Sequence, residues 1–203
     1  VTVNPELVMT ATKHAEFKDI INNAGIVTPD GVGLRIMGML TGRKLRQRVT
    51  GVDLCDRLAK EAAEHGWSIY LLGARPDVAN QAATNLVKKY PGLVIAGTSS
   101  EDPDDDLAND IITDITATKP DILLVAYGSP TQEIWLKKHR NKLGNLVTIG
   151  VGGSFDFIAK TAKRAPKVIQ TIGLEWLWRL ILQPKRWKRM LALPVFAIRS
   201  LFE

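Results

Sequence analysis

Two hydrophobic periods alternate along this chain. Short, continuously apolar runs rich in β-branched residues, "IVTP" (26–29), "SIYLLG" (68–73), "LVIAGT" (93–98), "DILLVAYG" (121–128) and "LVTIGVGG" (146–153), predict buried strands. Between them lie stretches of helical period: "NPELVMTATKHAEFKDIINNAG", "GVDLCDRLAKEAAEHG", "RPDVANQAATNLVKKYPG", "DDDLANDIITDITATKP" and "SPTQEIWLKKHRNKLG". Several of these open on a proline in the first turn and close on glycine, as helices do. Alternation of this kind, with strands apolar on both sides, predicts an α/β fold: a Rossmann-like parallel sheet with helices on both faces. The opening "VTVN" reads as a strand entered midway, and with no initiator Met a short N-terminal piece is expected to be missing.

The end of the chain departs from this rhythm. In "GLEWLWRLILQPKRWKRM" (173–190), three of the five tryptophans stand beside five basic residues. Leu174, Leu177, Trp178, Ile181 and Leu182 fall at helical spacing on one face, and Glu175, Arg179 and Gln183 on the other. Pro184 ends that helix and "KRWKRM" opens another. The predicted organisation is an α/β core over residues 1–159 and a basic, amphipathic appendage over 160–203.

Charge sharpens that division. The net charge is +6, yet residues 160–203 hold ten Lys/Arg against two acids, while the other 159 residues hold 17 bases against 19 acids. Segregated charge speaks of partners rather than fold. Nucleic-acid binding would need a recognition motif beside the aromatics, and none is present. Trp beside Lys/Arg on an amphipathic helix suits the headgroup layer of an anionic membrane. The longest apolar run, "LALPVFAI" (191–198), is far shorter than the ~20 residues of a membrane span. No signal segment is apparent, and one cysteine, Cys55, fits a reducing compartment and reads as a small buried thiol.

In an open α/β sheet, ligands settle at the carboxyl ends of the strands. Candidate binding residues there are Thr2, Asn4, Asp30, Arg75, Gly128, Gln132, Gly153 and Asp156. Asp30, in "VTPDGVG", reads as a general base, a helix cap or a turn Asp-Gly. "YGSPTQEIW" (127–135) reads either as a phosphate-favouring helix N-terminus or as a plain Ser/Thr-capped start. Arg43, Lys44, Arg46 and Arg48 form a basic loop, solvated or closing over a phosphate. The D-x-D spacings at 102/104 and 104/106 read as a solvated helix cap, and the three histidines (14, 65, 139) lack ligand spacing, so no metal site is expected. G-x-G-x-x-G and P-loop motifs are absent.

The ordered motifs "TVNPE", "TPDGVG", "QRVTGVDL", "YLLGARPDVA", "YPGLVIAG", "PDILLVAYGSPTQEIW", "GVGGSFDFIA", "KRAP" and "GLEWLWRL" resemble those of the WecG/TagA/CpsF glycosyltransferases over essentially the whole chain. The resemblance implies metal-independent, inverting transfer of N-acetylmannosamine from UDP-N-acetylmannosamine to N-acetylglucosamine on undecaprenyl diphosphate, forming a β-1,4 linkage in wall teichoic acid synthesis. It implies Asp30 as the base at the acceptor's C4 hydroxyl, with Thr2 and Asn4 near it, Arg48 steadying the departing diphosphate and Gln132 binding substrate. Arg179, Arg186 and Arg189 match appendage arginines that close over the diphosphates. The stretch "TSSEDPDDD" departs from the family's Gly-Tyr-Phe-like loop, so nucleotide contacts there are not carried over.

A base of ordinary carboxylate pKa is weak at pH 7, so Asp30 is expected to be partly desolvated. The implied location is cytoplasmic and peripheral, on the inner face of the plasma membrane. Away from lipid, the apolar tail is expected to favour a homo-oligomer. Other readings are a relative with a UDP-glucose or UDP-N-acetylmannosaminuronic acid donor, or a nucleotide-binding domain with a nucleic-acid-binding tail.

Overall fold

A computed structural model describes residues 1–43, 45 and 47–202, with backbone alone for Asp105, Arg186 and Phe202. Lys44 and Arg46 of the basic loop lie outside the described residues. The chain divides into two compact units, Val1–Thr50 with Lys163–Glu203, and Gly51–Ala162. These do not coincide with the 1–159 and 160–203 division read from the sequence, because the C-terminal segment packs on the N-terminal one.

In the second unit, β3 (Ser68–Gly73), β4 (Val94–Ser99), β5 (Ile122–Ala126) and β6 (Val147–Gly150) form a parallel sheet of order β4-β3-β5-β6. Helices α4 (Gly51–His65), α5 (Val78–Lys89) and α8 (Ser154–Ile158) cover one face, where Cys55, Ala59, Ala79, Ala82 and Phe155 pack with Ile69, Leu71 and Leu124. Helices α6 (Asp105–Thr118) and α7 (Thr131–Leu143) cover the other, burying Ile111, Ile115 and Trp135 with Tyr70, Leu72, Leu123 and Val125. Successive residues of β3 thus point to opposite apolar layers, which is why "SIYLLG" is apolar without alternating. Small residues let β3 and β4 lie close: a Cβ on Gly97 would come within 2.5 Å of the Tyr70 ring.

Burial pushes the Cys55 thiol up to about 12, with Asp56 adding to the effect. Cys55 is therefore expected to resist a thiol-reactive dye in the folded protein and to label fully in denaturant. Rapid native labelling would contradict its place in this core.

In the first unit, β1 (Thr2–Val3) pairs in parallel with β2 (Thr28–Pro29), a separate two-stranded sheet. The parallel sheet with helices on both faces expected from the sequence is thus present in four strands, while "IVTP" belongs to the separate two-stranded sheet. Each outer strand is only two residues long, and Pro29 has no N–H to extend the ladder. The long N-terminal helix expected after "VTVN" is also two helices, α1 (Pro5–Ala11) and α2 (Ala15–Asn22), both packed on Val3 and Leu34 through Leu7, Phe17 and Ile21. Here α3 (Val32–Leu40) follows β2, and the C-terminal segment forms α9 (Lys167–Thr171), α10 (Glu175–Leu182), a 3-10 turn (Pro184–Arg186), α11 (Trp187–Met190) and α12 (Ala192–Phe202). The apolar run that the sequence left without structure is the start of α12, whose Phe196 packs with Met9 of α1 and Met37 of α3. Pro194 falls in the first turn, where no N–H is required.

Candidate active site

The carboxyl ends of the second unit's strands carry several of the candidate residues. β3 connects outward to β4 and β5 connects outward to β6, so the adjacent pair β3 and β5 marks the topological switch point. Arg75 leaves the end of β3 and donates to Asp156 of α8 at 2.8 Å, with Thr161 at 3.5 Å. Gly153 is the N-cap of α8. Gly128 and Gly152 end β5 and β6 with φ of +79° and +53°, and a Cβ on either would meet open space. Arg75, Gly128 and Gly153 thus lie just beyond the ends of these strands, and Asp156 lies in the first turn of α8.

Gln132 occupies the same region but is spent on the protein. It is 1% exposed. Its Oε1 accepts from the N–H of Gly128 at 3.2 Å and of Gly152 at 3.0 Å, and its Nε2 donates to Ser129 Oγ at 3.1 Å and Glu133 Oε1 at 2.7 Å. That fills the amide's capacity of two donors and two acceptors. Ser129 Oγ also donates to Glu133 Oε1 at 2.9 Å. The phosphate reading of "YGSPTQEIW" loses its support here, because the Gly128 N–H is already bonded and the buried carboxylate of Glu133 sits in the first turn of α7. Gln132 instead tethers the glycine turns that follow β5 and β6. A Cβ on Gly150 would lie 2.5 Å from its Nε2, so glycine is required beside it. Gln132→Ala should strand two backbone donors at about 1–3 kcal/mol each. Thermal melting should show a loss of that order, and an unchanged midpoint would contradict the tether.

The first unit gathers acids and arginines. Asp30 follows β2, is half-buried, and its N–H donates to Val3 O at 2.6 Å, tying it to β1. Gly31, not Asp30, takes the N-cap position of α3, with φ of +110°. Thr2 lies in register with Thr28, and the buried Thr28 Oγ1 has no hydrogen-bond partner. Asn4 caps α1, its Oδ1 accepting from Leu7 N at 3.0 Å. Arg48 donates to Glu175 Oε2 at 2.7 Å and to Gln170 O at 3.1 Å. Arg164 donates to Glu175 Oε1 at 3.2 Å and to Thr50 Oγ1 at 3.3 Å. Arg189 grips both carboxylate oxygens of Glu6 at 2.5 and 3.1 Å.

Arg179 stands among these groups. Burial lowers its pKa, against the opposing pull of the Glu175 and Asp30 carboxylates and with Arg189 and Arg164 adding repulsion. Its guanidinium thus shares a local field with the candidate base. For Arg186 only the backbone is described, in the 3-10 turn.

One consequence was not legible in the sequence. Glu175, read as part of the polar face of α10, is 14% exposed and turned to Arg48 and Arg164, whereas Ile181 is 65% and Leu182 49% exposed. It is the carboxylate that holds two arginines of this unit.

Residues 1–203 match the model of the family described as "Glycosyl transferase WecG/TagA/CpsF family". The chain belongs to the WecG/TagA/CpsF glycosyltransferase family. Its relatives include the N-acetylglucosaminyldiphosphoundecaprenol N-acetyl-beta-D-mannosaminyltransferase of Bacillus subtilis (strain 168), 37% identical over 202 residues, 100% of this chain and 78% of that protein. The enzymes of the same name from Bacillus spizizenii and Staphylococcus aureus (strain NCTC 8325 / PS 47) are each 33% identical over 97% of this chain and 76% of their own lengths. As a member of this family, the chain is a glycosyltransferase, and the groups above are candidates for binding and transfer. Among the described residues, no three or more His, Cys, Asp or Glu side chains gather in a way that could hold a metal ion. The D-x-D stretch instead starts a helix, with Asp104 as N-cap accepting from Asp106 N.

Proposed function

We propose that this family member transfers N-acetylmannosamine from UDP-N-acetylmannosamine to the C4 hydroxyl of N-acetylglucosamine on undecaprenyl diphosphate, with inversion to a β-1,4 linkage, in wall teichoic acid synthesis. The relatives' shared enzyme name supports the reaction. What supports its placement on this chain is that Glu175 of α10 accepts from Arg48 and Arg164, with Arg179 on the same helix drawn by the Glu175 and Asp30 carboxylates.

In the proposed step, Asp30 removes the proton of the acceptor hydroxyl as its oxygen attacks the anomeric carbon. The bond from that carbon to the UDP oxygen breaks, and UDP leaves with its electron pair. A single displacement of this kind needs one base and charge stabilisation at the leaving group. The reading assigns that stabilisation to Arg48, Arg179, Arg186 and Arg189, without a metal ion. Arginine suits the task because its planar fork binds phosphate oxygens in pairs. Here Glu175 and Glu6 keep Arg48 and Arg189 oriented, and a diphosphate offers those guanidiniums more negative charge than a carboxylate does. Thr2 and Asn4 flank the base, Asn4 through its place at the start of α1. In the second unit, Arg75, Asp156, Gly128 and Gly153 remain candidate substrate-binding residues, and Gln132 shapes the turns beside them.

The exposed apolar side of α10 supports a peripheral location on the cytoplasmic face of the membrane. Leu177, Ile181 and Leu182 face outward beside Trp187, Lys185 and Lys188, a pairing that suits an anionic headgroup layer. Each basic residue near that surface contributes about 1 kcal/mol. No described helix is long and apolar enough to cross a membrane.

The test is a donor panel. UDP-N-acetylmannosamine, UDP-glucose and UDP-N-acetylmannosaminuronic acid would be offered with a water-soluble lipid-diphosphate-GlcNAc analogue. Turnover is expected with the first alone; transfer from either of the others, or from none, would overturn the assignment.

A further inference from the structure

Helix α3 has no polar side. Its sequence, "VGLRIMGML", contains one charged residue. Met37 is buried with Met9 and Phe196, and Leu34 packs beside them, which accounts for one face. Ile36, Met39 and Leu40, at i, i+3 and i+4 on the opposite side, are 45%, 58% and 65% exposed. A helix apolar all round is ordinarily covered on all sides. The neighbour that packs on it, α12, does not cover this face, and leaves its own Val195, Ile198 and Leu201 exposed as well.

The distribution of charge identifies what covers them. The first unit carries sixteen basic and six acidic residues; the second carries eleven and fifteen. Among the described residues, 18 of the 24 exposed large hydrophobic side chains also belong to the first unit. The strongly cationic unit is thus the oily one. Arg35 is exposed within α3, and Arg43 is exposed just beyond its end. A second copy of the same cationic surface would be repelled, whereas a sheet of anionic headgroups over hydrocarbon meets both properties.

We propose that α3 is a lipid-contacting element in its own right: Ile36, Met39 and Leu40 enter the headgroup layer of an anionic bilayer, so that membrane contact involves the N-terminal segment and not the C-terminal appendage alone. The proposal rests on the peripheral-membrane reading above and extends it to a segment that reading does not use. It also explains why α3 tolerates an apolar outer face that would otherwise invite aggregation.

The experiment uses the full chain and two kinds of vesicle, phosphatidylcholine alone and phosphatidylcholine with phosphatidylglycerol. Ile36→Gln with Met39→Gln adds no charge, so any loss of binding reports insertion rather than repulsion. The pair is expected to lower partitioning onto the anionic vesicles by about tenfold or more, given the apolar area withdrawn. Val94→Gln with Val147→Gln, exposed in the second unit, should leave it unchanged. Because Cys55 is buried, Leu40→Cys offers a single labelling site for a polarity-sensitive dye, whose emission should shift to the blue on anionic vesicles only.

Wild-type binding that survives the α3 pair, with no dye shift at position 40, would overturn this inference while leaving the peripheral reading intact. Wild-type protein that binds neither vesicle would overturn both. A pair that binds vesicles normally but abolishes self-association in light scattering would assign the face to a second copy instead, and equally overturn it.

Discussion

Asp30→Asn is expected to lower transfer by about 10²–10⁴-fold, the usual contribution of a positioned general base. The substitution keeps the size and planarity of the side chain and removes its capacity to take a proton. The backbone of Asp30 is fixed by its bond to Val3 O, and Gly31 rather than Asp30 takes the N-cap position of α3, so the helix start should survive. UDP binding should change little, since Asp30 is assigned to the acceptor hydroxyl and not to the nucleotide. Turnover with the soluble acceptor analogue and calorimetric titration with UDP would together check this. Activity within a few-fold of wild type would remove Asp30 from the base role. A parallel loss of UDP affinity would point to nucleotide binding instead.

Arg48→Lys should be nearly as damaging. Lysine keeps the charge but not the fork that spans Glu175 and the Gln170 carbonyl. Loss of one preorganised donor at a developing anion costs about 10²–10³ in turnover. The leaving diphosphate is held most tightly as its bond to the sugar breaks, so the loss should fall on kcat more than on KM. Glu175 would still engage Arg164 at 3.2 Å, which should limit the fall in melting temperature. A variant that unfolds would report a structural role, whereas a folded variant with normal kcat would show that Arg48 has none in the chemistry. Deleting residues 163–203 is a less discriminating test, because it also strips Phe196 from Met9 and Met37.

The second unit was largely legible from the sequence. Its central strands β3 and β5 are buried on both faces, so "SIYLLG" and "DILLVAYG" announce themselves by composition. The first unit was not. Its two strands pair over only two residues each, too short for any pattern to register. Helix spacing also does not show that Glu175 of α10 turns to Arg48 and Arg164, both outside that helix. α12 was hidden because it lacks a polar stripe to reveal a helical period, and because Pro194 reads as a break until it is seen to lie in the first turn.

Candidate residues divide in the same way. Asp30, Arg48 and Arg179 could be singled out by position and by family resemblance, and Glu175 as the i,i+4 neighbour of Arg179, but the long-range counter-charges of Arg48 and Arg189 could not. Glu6 meets Arg189 across 183 residues and Glu175 meets Arg48 across 127, beyond the reach of any local motif. Gln132 was noticed as a polar residue at a strand end. That its amide is consumed by two glycine N–H groups, one of them twenty residues away, depends on how β5 and β6 lie side by side.

The central claim is that arginines held by carboxylates in the first unit take the place of a divalent cation at the leaving diphosphate. The most direct measurement is kcat for transfer from UDP-N-acetylmannosamine to the soluble acceptor in EDTA-treated buffer, compared with the same buffer supplied with excess Mg²⁺ or Mn²⁺. The account predicts equal rates in all three. Activity that vanishes in EDTA and returns with either ion would contradict it.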